Sequence, residues 1–546
     1  MKAVRTLNFP QAVSQVLVAE GTTDLFGLMG SGNMRVIYCM EHDFGARYHA
    51  ARHEAGSIAA ADGYARATGR VGVCTVTQGP GLTNALTPLI TARKANTPMV
   101  LLTGDSSEIN KPGDPFARVQ SVSWKAFFET ADVPAIRPTP ETVVADVRTA
   151  FARARRESRP IAIVMPYEFD VAEVIWQDLP PAEEPAPAVP DPTAIDAAAR
   201  KLRAAARPLL LAGRGAVRAG AGDALRALAD ELGAVVGTSL PGSGYFRGHP
   251  GDLGLVGGFA RPSVQAAVNA CDCVLAIGVG LNGFTTDKRS LMSDADVIHV
   301  DRDAAAFGRH RPVGSTLVGE ARLVAEALLE RVRALGGAPS SARTEPVIAK
   351  ALARPRSDPF EDESQKGDLD PRALIRRLDE LLPLNRAVVS DGGRFSSFVV
   401  RRMFPESPDA LLYMQEFGSV GGGLGAAIGA AVGRPERLTV LFLGDSGLLM
   451  TLGDLDTAIR ERIPLLVVCM NNQALGSEIT LLNNAGLDIR DAYMDTPDFS
   501  LVAKAMGADG LLIETLDQLD VLPERIKALS GPLVLDCRVT RRATAI

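Results

Sequence analysis

Two polar side chains, Asp445 and Asn472, each follow a run of apolar residues in the last third of the chain. The runs 438–443 and 465–470 are almost continuously apolar and rich in β-forming residues, which is typical of buried parallel strands. The turn at Asp445 opens a predicted helix, and helix N-termini attract phosphate. Carboxylate and amide oxygens suit Mg²⁺ that is shared with phosphate oxygens. The pattern therefore predicts a magnesium and phosphate site at one edge of a sheet.

The stretch that ends at Asn472 resembles the diphosphate- and metal-binding motif of thiamine-diphosphate (ThDP) enzymes, Gly-Asp-Gly followed after a spacer by Asn-Asn. Ser446 stands where the family usually has the second glycine. The resemblance implies Mg²⁺ ligands in the side chains of Asp445 and Asn472 and in the backbone carbonyl of Ala474. It also implies cofactor contacts from Gly444, Ser446, Gly447 and Gly476. The alternative is an ordinary strand–turn–helix–strand unit with a polar loop.

Glu54 lies in the segment Arg-His-Glu-Ala-Gly at 52–56, which is followed by Ala-Asp-Gly-Tyr-Ala-Arg at 61–66. Both segments resemble the family signature that contains the cofactor-activating glutamate. In that family, a carboxyl against N1′ of the aminopyrimidine promotes the imino tautomer, whose nitrogen removes the proton from thiazolium C2. This proton transfer needs a buried carboxyl with a tuned pKa. The alternative for Glu54 alone is a solvated residue early in an amphipathic helix.

A second glycine-rich loop, Gln-Gly-Pro-Gly at 78–81, follows a predicted strand at 71–77 and leads into a helix. Glycines allow the backbone to approach a ligand closely. The loop resembles the Gly-Pro-Gly loop of the same family. The resemblance implies contacts with the aminopyrimidine ring, across a subunit interface, from Gly79, Pro80, Gly81 and Asn84.

The loop 27–33 resembles the family loop near the reactive carbon, although Met29 replaces the usual proline. The candidate residues on the substrate side are therefore Ser31, Gly32 and Asn33, together with His53 beside the predicted glutamate. The alternatives are a plain turn at the end of a strand and, for His53, a helix residue that packs nearby.

Val420 lies in the loop 418–423, Gly-Ser-Val-Gly-Gly-Gly, which resembles the loop that places a bulky aliphatic side chain beneath the cofactor. In the family this side chain holds the two cofactor rings in a V, and Ser419 precedes it here. Asp-Gly-Gly at 391–393 resembles the loop at the far end of the diphosphate, which makes Gly392 and Gly393 candidate contacts. The alternative for Val420 is a buried valine in a glycine-rich turn.

Two further residues are candidates for catalysis. Gln120 resembles the glutamine that acetolactate synthases have after the Gly-Pro-Gly helix, and Glu478 could transfer protons above the reactive carbon. A surface helix and a solvated lid are the alternatives. The chain lacks the tryptophan that branched-chain synthases have after the Asn-Asn pair, and it lacks the His-His pair of simple decarboxylases. These departures leave the donor and the acceptor open.

The chain has 546 residues, too many for one hydrophobic core, so about two to four domains are expected. Its net charge of −6, with both signs interspersed, gives no basic surface for nucleic acid or membrane. No apolar run reaches the length of a transmembrane helix, and the six scattered cysteines lack zinc-site spacing. We expect a cytoplasmic protein with reduced thiols and no nucleic-acid or membrane partner.

Two stretches divide the chain, a proline-rich one at 176–194 and a polar, turn-rich one at 335–369. Between them, repeated strand, glycine turn and helix predict a doubly wound α/β sheet. The resemblance implies three such parallel-sheet domains: pyrimidine-binding at 1–175, middle at 190–335 and diphosphate-binding at 370–546. Gly-Arg-Gly at 213–215 resembles FAD-binding relatives, but the motif is short, and FAD is left open.

The resemblance implies a ThDP- and Mg²⁺-dependent carbon–carbon lyase or carboligase of the acetolactate-synthase-like group. A 2-oxoacid such as pyruvate would be the donor, the reaction would pass through an enamine, and an oxoacid, aldehyde or ketone would be the acceptor. Glu54 of one chain would face Asp445 of another in a homodimer or homotetramer. Two alternatives are an FAD-linked 2-oxoacid oxidase of the same fold and a non-catalytic binding or regulatory homologue.

Overall fold

The computed structural model describes residues 5–105, 119–176, 188–353 and 359–543. These residues form three six-stranded sheets, and every strand pairing within the three sheets is parallel. Helices flank each sheet, as doubly wound α/β domains require. The predicted fold class is confirmed. No helix in the described ranges is long and apolar enough to cross a bilayer.

The first sheet has the order β3-β2-β4-β5-β7-β6, and a separate antiparallel pair, β1 and β8, lies beside it. The strands of this region are β1 (Thr6–Asn8), β2 (Asp24–Gly27), β3 (Arg47–Ala50), β4 (Gly72–Val76), β5 (Met99–Asp105), β6 (Ala135–Ile136), β7 (Pro160–Pro166) and β8 (Glu173–Ile175). The helices are α1 (Phe9–Ala19), α2 (Met34–Tyr38), α3 (Glu54–Thr68), α4 (Pro80–Asn84), α5 (Leu86–Lys94), α6 (Trp124–Thr130) and α7 (Val143–Glu157).

The second sheet has the order β11-β10-β9-β12-β13-β14. Its strands are β9 (Pro208–Ala212), β10 (Val235–Thr238), β11 (Asp252–Leu255), β12 (Cys273–Ile277), β13 (Asp296–Asp301) and β14 (Ser315–Val318). The helices are α8 (Pro192–Ala204), α9 (Arg214–Arg218), α10 (Gly222–Leu232), α11 (Pro262–Ala270), α12 (Ala321–Leu335) and α13 (Pro346–Ala353). Strand β9 runs into Gly213 and β12 runs into Gly278, which is the pattern of strand and glycine turn that the sequence predicted.

The third sheet has the order β16-β15-β17-β18-β20-β19. Its strands are β15 (Arg386–Ser390), β16 (Leu411–Tyr413), β17 (Leu438–Gly444), β18 (Leu465–Asn471), β19 (Asp509–Ile513) and β20 (Pro532–Arg538). The helices are α14 (Pro371–Leu381), α15 (Ser396–Arg402), α16 (Gly423–Gly433), α17 (Asp445–Thr451), α18 (Leu455–Arg460), α19 (Gly476–Ala485), α20 (Phe499–Met506) and α21 (Leu522–Lys527).

The polar stretch 335–369 differs from the expected turn-rich linker, because it contains the helix α13. Ile348 and Ala351 of this helix are buried in an apolar cluster of the second sheet's domain. Two apolar positions one turn apart are enough to dock a short helix, and the polar residues around them hide that signal in the sequence. Most of the proline-rich stretch 176–194 lies outside the described residues. The exact domain boundaries stay predictions.

His49 on β3 joins the first and third domains. Its Nδ1 lies 2.5 Å from Glu461 Oε2 of the third domain, and its Nε2 lies 2.9 Å from Asp24 Oδ1 on β2. Arg47 also pairs with Asp24, at 2.7 Å. Burial alone favours the neutral imidazole, but the hydrogen bonds with Asp24 and Glu461 outweigh it, so the pKa of His49 is raised. Protonated His49 therefore stabilises the contact between these two domains.

We expect His49→Gln to remove a pH-dependent part of the stability. Because the folded-state pKa is raised, the stabilisation is complete below the unfolded value of about 6.5 and is lost as pH rises through the folded value. Thermal unfolding between about pH 6 and pH 9 should show a steeper decline for wild type than for the variant. His42→Gln, at an exposed histidine, is the control. Parallel profiles for wild type and His49→Gln would contradict the assignment.

Candidate active site

Asp445 and Asn472 lie at the same edge of the third sheet, as the sequence predicted. Strands β17 and β18 are neighbours in parallel register, with Gly444 opposite Met470. Asp445 is the first residue of α17, directly after β17, and Asn472 directly follows β18. Both polar residues therefore lie where parallel strands end and ligands bind in this fold class.

The Asp445 carboxylate has one oxygen that the protein does not satisfy. Its Oδ1 accepts a hydrogen bond from the Ser446 N–H at 2.7 Å, whereas Oδ2 is buried with no hydrogen-bond partner among the described residues. The side chain is 2% exposed, and burial raises the pKa of Asp445 despite nearby backbone N–H groups of Ser446, Gln473 and Ala474. A buried carboxylate oxygen without a partner is costly, and a divalent cation would satisfy it. The residues present thus fit Mg²⁺.

The turn after β18 has a fixed shape. Gln473 has φ of 51°, an uncommon value for a residue with a side chain, and Asn472 Oδ1 accepts the Ala474 N–H at 3.2 Å. Arg541 holds the turn from outside, because its Nε and Nη2 donate to the carbonyls of Asn472 and Gln473 at 2.7 and 3.1 Å. No motif in the sequence indicates this role for Arg541.

The described residues contain no cluster of three or more His, Cys, Asp or Glu side chains that could hold a metal. The ligand set implied by the sequence does not need one, because it combines one carboxylate, one amide oxygen and one backbone carbonyl. These are hard oxygen ligands of the type that Mg²⁺ prefers.

Three loops meet beside Asp445 with very little space between them. A Cβ added to Gly392 would lie 2.5 Å from the Ser419 carbonyl, and one on Gly447 would lie 2.7 Å from Asp391 Oδ2 and 3.3 Å from Val420. Val420 is 43% exposed, so the expected alternative of a buried valine does not apply. Its apolar side chain is available to a ligand, as the cofactor role requires.

Asp391 organises these loops. The N–H groups of Gly421 and Gly423 donate to its carboxylate at 2.9 and 3.1 Å, and complete burial raises its pKa to about 6. Gly393, at φ of 147°, packs against the Phe395 ring. Sequence reasoning found the glycines at 392 and 393 but missed the role of the adjacent Asp391 carboxylate, which binds the loop at Gly421 and Gly423.

Glu54 is the first residue of α3 and is 9% exposed. Its Oε2 accepts a hydrogen bond from Asn84 Nδ2 at 3.0 Å, and a Cβ on Gly81 would lie 3.4 Å from Oε1. Oε1 has no hydrogen bond among the described residues and is thus free for a ligand. The structure therefore joins the predicted glutamate to the predicted loop. His53 caps α3, because its Nδ1 accepts the Ala55 N–H at 3.1 Å, and a role toward substrate stays a prediction.

A hydrogen-bonded network connects the predicted substrate-side residues. Gln78 Nε2 donates to Ser31 Oγ at 3.1 Å and to Gln120 Oε1 at 2.9 Å. The Gly32 N–H donates to Thr77 Oγ1 at 3.1 Å. Sequence reasoning named Ser31, Gly32 and Gln120 but missed Gln78, which brings them together.

The other candidates lie apart from this network. Asn33 is buried and ties its own loop, because Oδ1 accepts the Gly30 N–H at 2.8 Å and Nδ2 donates to the Leu28 carbonyl at 3.0 Å. Gly476 adjoins Asn472, and Glu478 lies exposed on the first turn of α19. Among the described residues, no hydrogen bond or ion pair joins Glu54 to Asp445 or Asn472. One chain thus holds two separate groups of candidate residues.

We expect opposite effects from amide substitutions at the two buried aspartates of the third domain. Asp445→Asn removes an unsatisfied buried charge, so the metal-free protein should be stabilised by up to about 1–3 kcal/mol, while stabilisation by Mg²⁺ with ThDP should be lost. Asp391→Asn turns an acceptor into a donor that faces backbone N–H groups and should destabilise the fold. Thermal unfolding with and without the ligands measures both. Retained Mg²⁺-dependent stabilisation in Asp445→Asn would rule out the metal assignment.

Sequence-family models match all three domains. Residues 7–123 match the N-terminal TPP binding domain of thiamine pyrophosphate enzymes, residues 195–328 match the central domain, and residues 391–537 match the C-terminal TPP binding domain. Thiamine pyrophosphate is another name for thiamine diphosphate. The matched ranges contain Glu54, Asp445 and Asn472.

Curated relatives align over nearly the full chain. A probable acetolactate synthase large subunit of Methanocaldococcus jannaschii is 30% identical, with 96% of this chain and 91% of the relative covered. A probable 2-ketoarginine decarboxylase of Pseudomonas aeruginosa is 31% identical over 95% and 92%. A sulfoacetaldehyde acetyltransferase of Castellaniella defragrans is 27% identical over 98% and 92%. With its three matched domains and these relatives, the chain belongs to the thiamine-diphosphate enzyme family, in its acetolactate synthase-like group.

Proposed function

We propose that this protein is a Mg²⁺-dependent carbon–carbon lyase or carboligase that uses a 2-oxoacid such as pyruvate as donor and a second carbonyl compound as acceptor. The observation that carries the proposal is the geometry of Glu54. Its carboxylate is buried, one oxygen is held by Asn84, and the other is free beside the Gly81 backbone. Because the rest of the side chain is buried and held by one amide, this accessible oxygen is placed to contact a ligand.

Different groups of candidate residues would bind different parts of the cofactor. Asp445, Asn472 and the Ala474 carbonyl would hold Mg²⁺, and the N-terminus of α17 with the loops at Gly392 and Ser419 would face the diphosphate. The Gly79–Gly81 loop and Asn84 would face the aminopyrimidine, and Val420 would support the rings. When bound, ThDP supplies a nucleophilic carbon that adds to a carbonyl.

Glu54 would hold and return the proton at the aminopyrimidine. Most of the Glu54 side chain is buried and the Asn84 amide holds one carboxylate oxygen, so the other oxygen presents one defined acceptor. A proton exchanged at that atom needs no reorganisation of the surrounding side chains. Gln120 and Ser31 would lie on the substrate side, and Glu478 and His53 remain candidates at its margin.

The relatives' names support the reaction class more than the substrate. They describe an acetolactate synthase, an acetyltransferase and a decarboxylase. These activities agree on carbon–carbon or acyl chemistry but differ in donor and acceptor. The described residues after Asn472 contain no tryptophan, which supports a pocket unlike that of the branched-chain synthases. We therefore propose pyruvate as the first donor to test.

No specific observation favours the FAD-linked alternative. A Cβ on Gly215 would lie 2.7 Å from the Gly278 Cα, so contact between the ends of β9 and β12 alone requires the small residues at these positions. A colourless purified protein would be expected, and a yellow one would revive the oxidase reading. The non-catalytic alternative gives no reason for Glu54, Asp445 and Asn472 to occur together.

We propose that the complete site forms between two copies of the chain. Large apolar side chains near the C-terminal candidate residues are exposed in one chain, namely Phe417, Val420, Leu449, Met450 and Met494. Exposure of this kind is costly for an isolated chain and is relieved by contact with a partner. A homodimer or dimer of dimers would place Glu54 of one copy against Asp445 of the next. The proposed location is the cytoplasm.

We expect Glu54→Gln to bind ThDP nearly as wild type does and to lose most turnover, about 10²- to 10⁴-fold, because the amide cannot exchange the proton. Isothermal titration measures binding, and CO₂ release from pyruvate measures turnover. Glu20→Gln is a matched control, because Glu20 is a buried glutamate of the same domain paired with Arg155. Activity close to wild type in Glu54→Gln would sink the proposed function.

We expect two inactive variants to complement each other if the site is shared. Mixing Glu54→Gln with Asp445→Asn and allowing subunit exchange produces hybrids with one doubly altered site and one intact site. Random reassociation should restore about one quarter of wild-type activity, since about half of the dimers are hybrids. Mixtures that remain inactive despite exchange, confirmed by mass spectrometry of the intact complex, would argue for sites built within one chain.

A further inference from the structure

Gln78 is a buried polar side chain whose bonding groups are all engaged. It is 8% exposed, and its Nε2 supplies both donors, one to Ser31 Oγ and one to Gln120 Oε1. Its Oε1 accepts from Thr77 Oγ1 at 2.9 Å. Three loops that are distant in sequence therefore meet at one amide.

A backbone group anchors one end of this network. The Gly32 N–H can only donate, and it donates to Thr77 Oγ1. The Thr77 hydroxyl donates its own proton to Gln78 Oε1, and the Gln78 NH₂ lies toward Ser31 and Gln120. With the Gln78 amide in this orientation, Gln120 accepts through its side-chain oxygen and Ser31 accepts through its hydroxyl oxygen. Neither the Nε2 of Gln120 nor the hydroxyl proton of Ser31 donates to another of the described residues, so both can donate to a ligand.

The surroundings of Gln78 leave this arrangement little freedom. A Cβ on Gly104 would lie 2.7 Å from Gln78 Oε1 and 2.8 Å from the Gly32 Cα, and a Cβ on Gly32 would overlap the same oxygen. The two glycines thus make the space in which the Gln78 carbonyl lies. An enclosed and hydrogen-bonded amide is held in one orientation. The orientation of the Gln78 amide therefore determines which groups of its partners accept and which can donate.

The network lies next to the candidate catalytic carboxylate. Thr77 packs on Gly81, where an added Cβ would lie 2.8 Å from Thr77 Cγ2 and 3.4 Å from Glu54 Oε1. Ser31 is exposed and Gln120 is partly exposed, whereas Gln78 behind them is buried. Ser31 and Gln120 therefore lie on the accessible side of the network, and Thr77 connects the network to Gly81 beside Glu54.

We propose that Gln78 is a positioning residue that makes Ser31 and Gln120 hydrogen-bond donors toward an oxygen of the substrate, either the carboxylate or the carbonyl oxygen of a 2-oxoacid. This inference rests on the proposed function and identifies the class of substrate group that this wall of the pocket would bind. Ser31, Gln78 and Gln120, the described residues of this wall, offer hydroxyl and amide groups, so they select by the direction of hydrogen bonds. A donor-only surface favours an oxygen acceptor and leaves a donor of the wrong substrate unpaired.

The test compares Gln78→Glu with Gln78→Leu in protein loaded with ThDP and Mg²⁺. Glutamate matches the shape of glutamine more closely than leucine does, but its carboxylate can only accept hydrogen bonds. Ser31 and Gln120 would then donate to this carboxylate and no longer to the substrate. We expect both variants to bind ThDP within about threefold of wild type. Affinity for methyl acetylphosphonate, a pyruvate analogue that cannot lose CO₂, should fall at least about tenfold, and further in Gln78→Glu than in Gln78→Leu. Gln265→Glu, in the second domain, controls for the added charge.

A double-substitution cycle tests whether Gln78 acts through Gln120. Gln78→Leu combined with Gln120→Leu should weaken analogue binding no more than the worse single change, because both remove the same donor. Ser31→Ala, a small change at an exposed position, removes the second donor and should lower affinity without affecting ThDP, even if a Gln78 variant fails to fold.

Several outcomes would overturn the proposal. If Gln78→Glu lowers the affinity for the analogue less than Gln78→Leu does, Gln78 only fills space. If the losses of affinity in the double-substitution cycle are additive, Gln78 does not act through Gln120. If wild type binds ThDP but neither pyruvate nor the analogue, the wall does not receive an oxoacid oxygen, although the cofactor site stands. If wild type does not bind ThDP, the proposed function fails, and this inference fails with it.

Discussion

Helices α3 and α16 meet backbone to backbone, and this contact determines how the two site-bearing domains are joined. A Cβ on Gly63 would overlap the Ala426 carbonyl, one on Gly429 would overlap the Ala60 carbonyl, and one on Gly425 would lie 2.6 Å from the Gly56 carbonyl. Only residues without side chains permit such an approach. Since α3 begins at Glu54 and α16 follows the loop bonded to Asp391, the packing of two helices fixes where both halves of the site can lie.

Two buried carboxylates of the third domain differ in whether their oxygens have hydrogen-bond partners. Asp391 is surrounded by backbone N–H donors and serves the architecture, whereas Asp445 keeps one oxygen without a partner. A stable fold tolerates few groups of the second kind, so their presence indicates a ligand. A third carboxylate, Asp454, accepts the Arg52 N–H at 3.1 Å and so holds the start of α3 from the third domain. Buried carboxylates that accept backbone N–H groups therefore hold both the domain contact and the loops of the site.

The sequence was enough to predict the strands, the fold class and the residues at strand ends, because apolar runs and glycine turns are local signals. It also paired Glu54 with the Gly81 loop through resemblance, and the structure brings them together. It could not predict Gln78 or Arg541. Arg541 is 69 residues from Asn472, and Gln78 is 47 residues from Ser31, so their partners depend on how loops are arranged after folding. Gln78 adjoins the Gly-Pro-Gly loop, but the resemblance gives it no role, and Arg541 lies in no motif. Helix α13 was missed for a related reason, because its two buried residues are hidden among polar ones.

The enclosure of the Gln78 amide also has an evolutionary side. Positions 32, 78 and 104 occupy one volume, since the Gly104 position is closed by the Gly32 backbone and the Gly32 position by the Gln78 oxygen. A larger residue at either glycine would displace the amide, and a shorter residue at 78 would leave a void between the loops. Substitutions at these three positions are therefore expected to covary. Related proteins would therefore change this wall of the pocket by substitutions at several of these positions together. A protein with only one of the substitutions would be poorly packed.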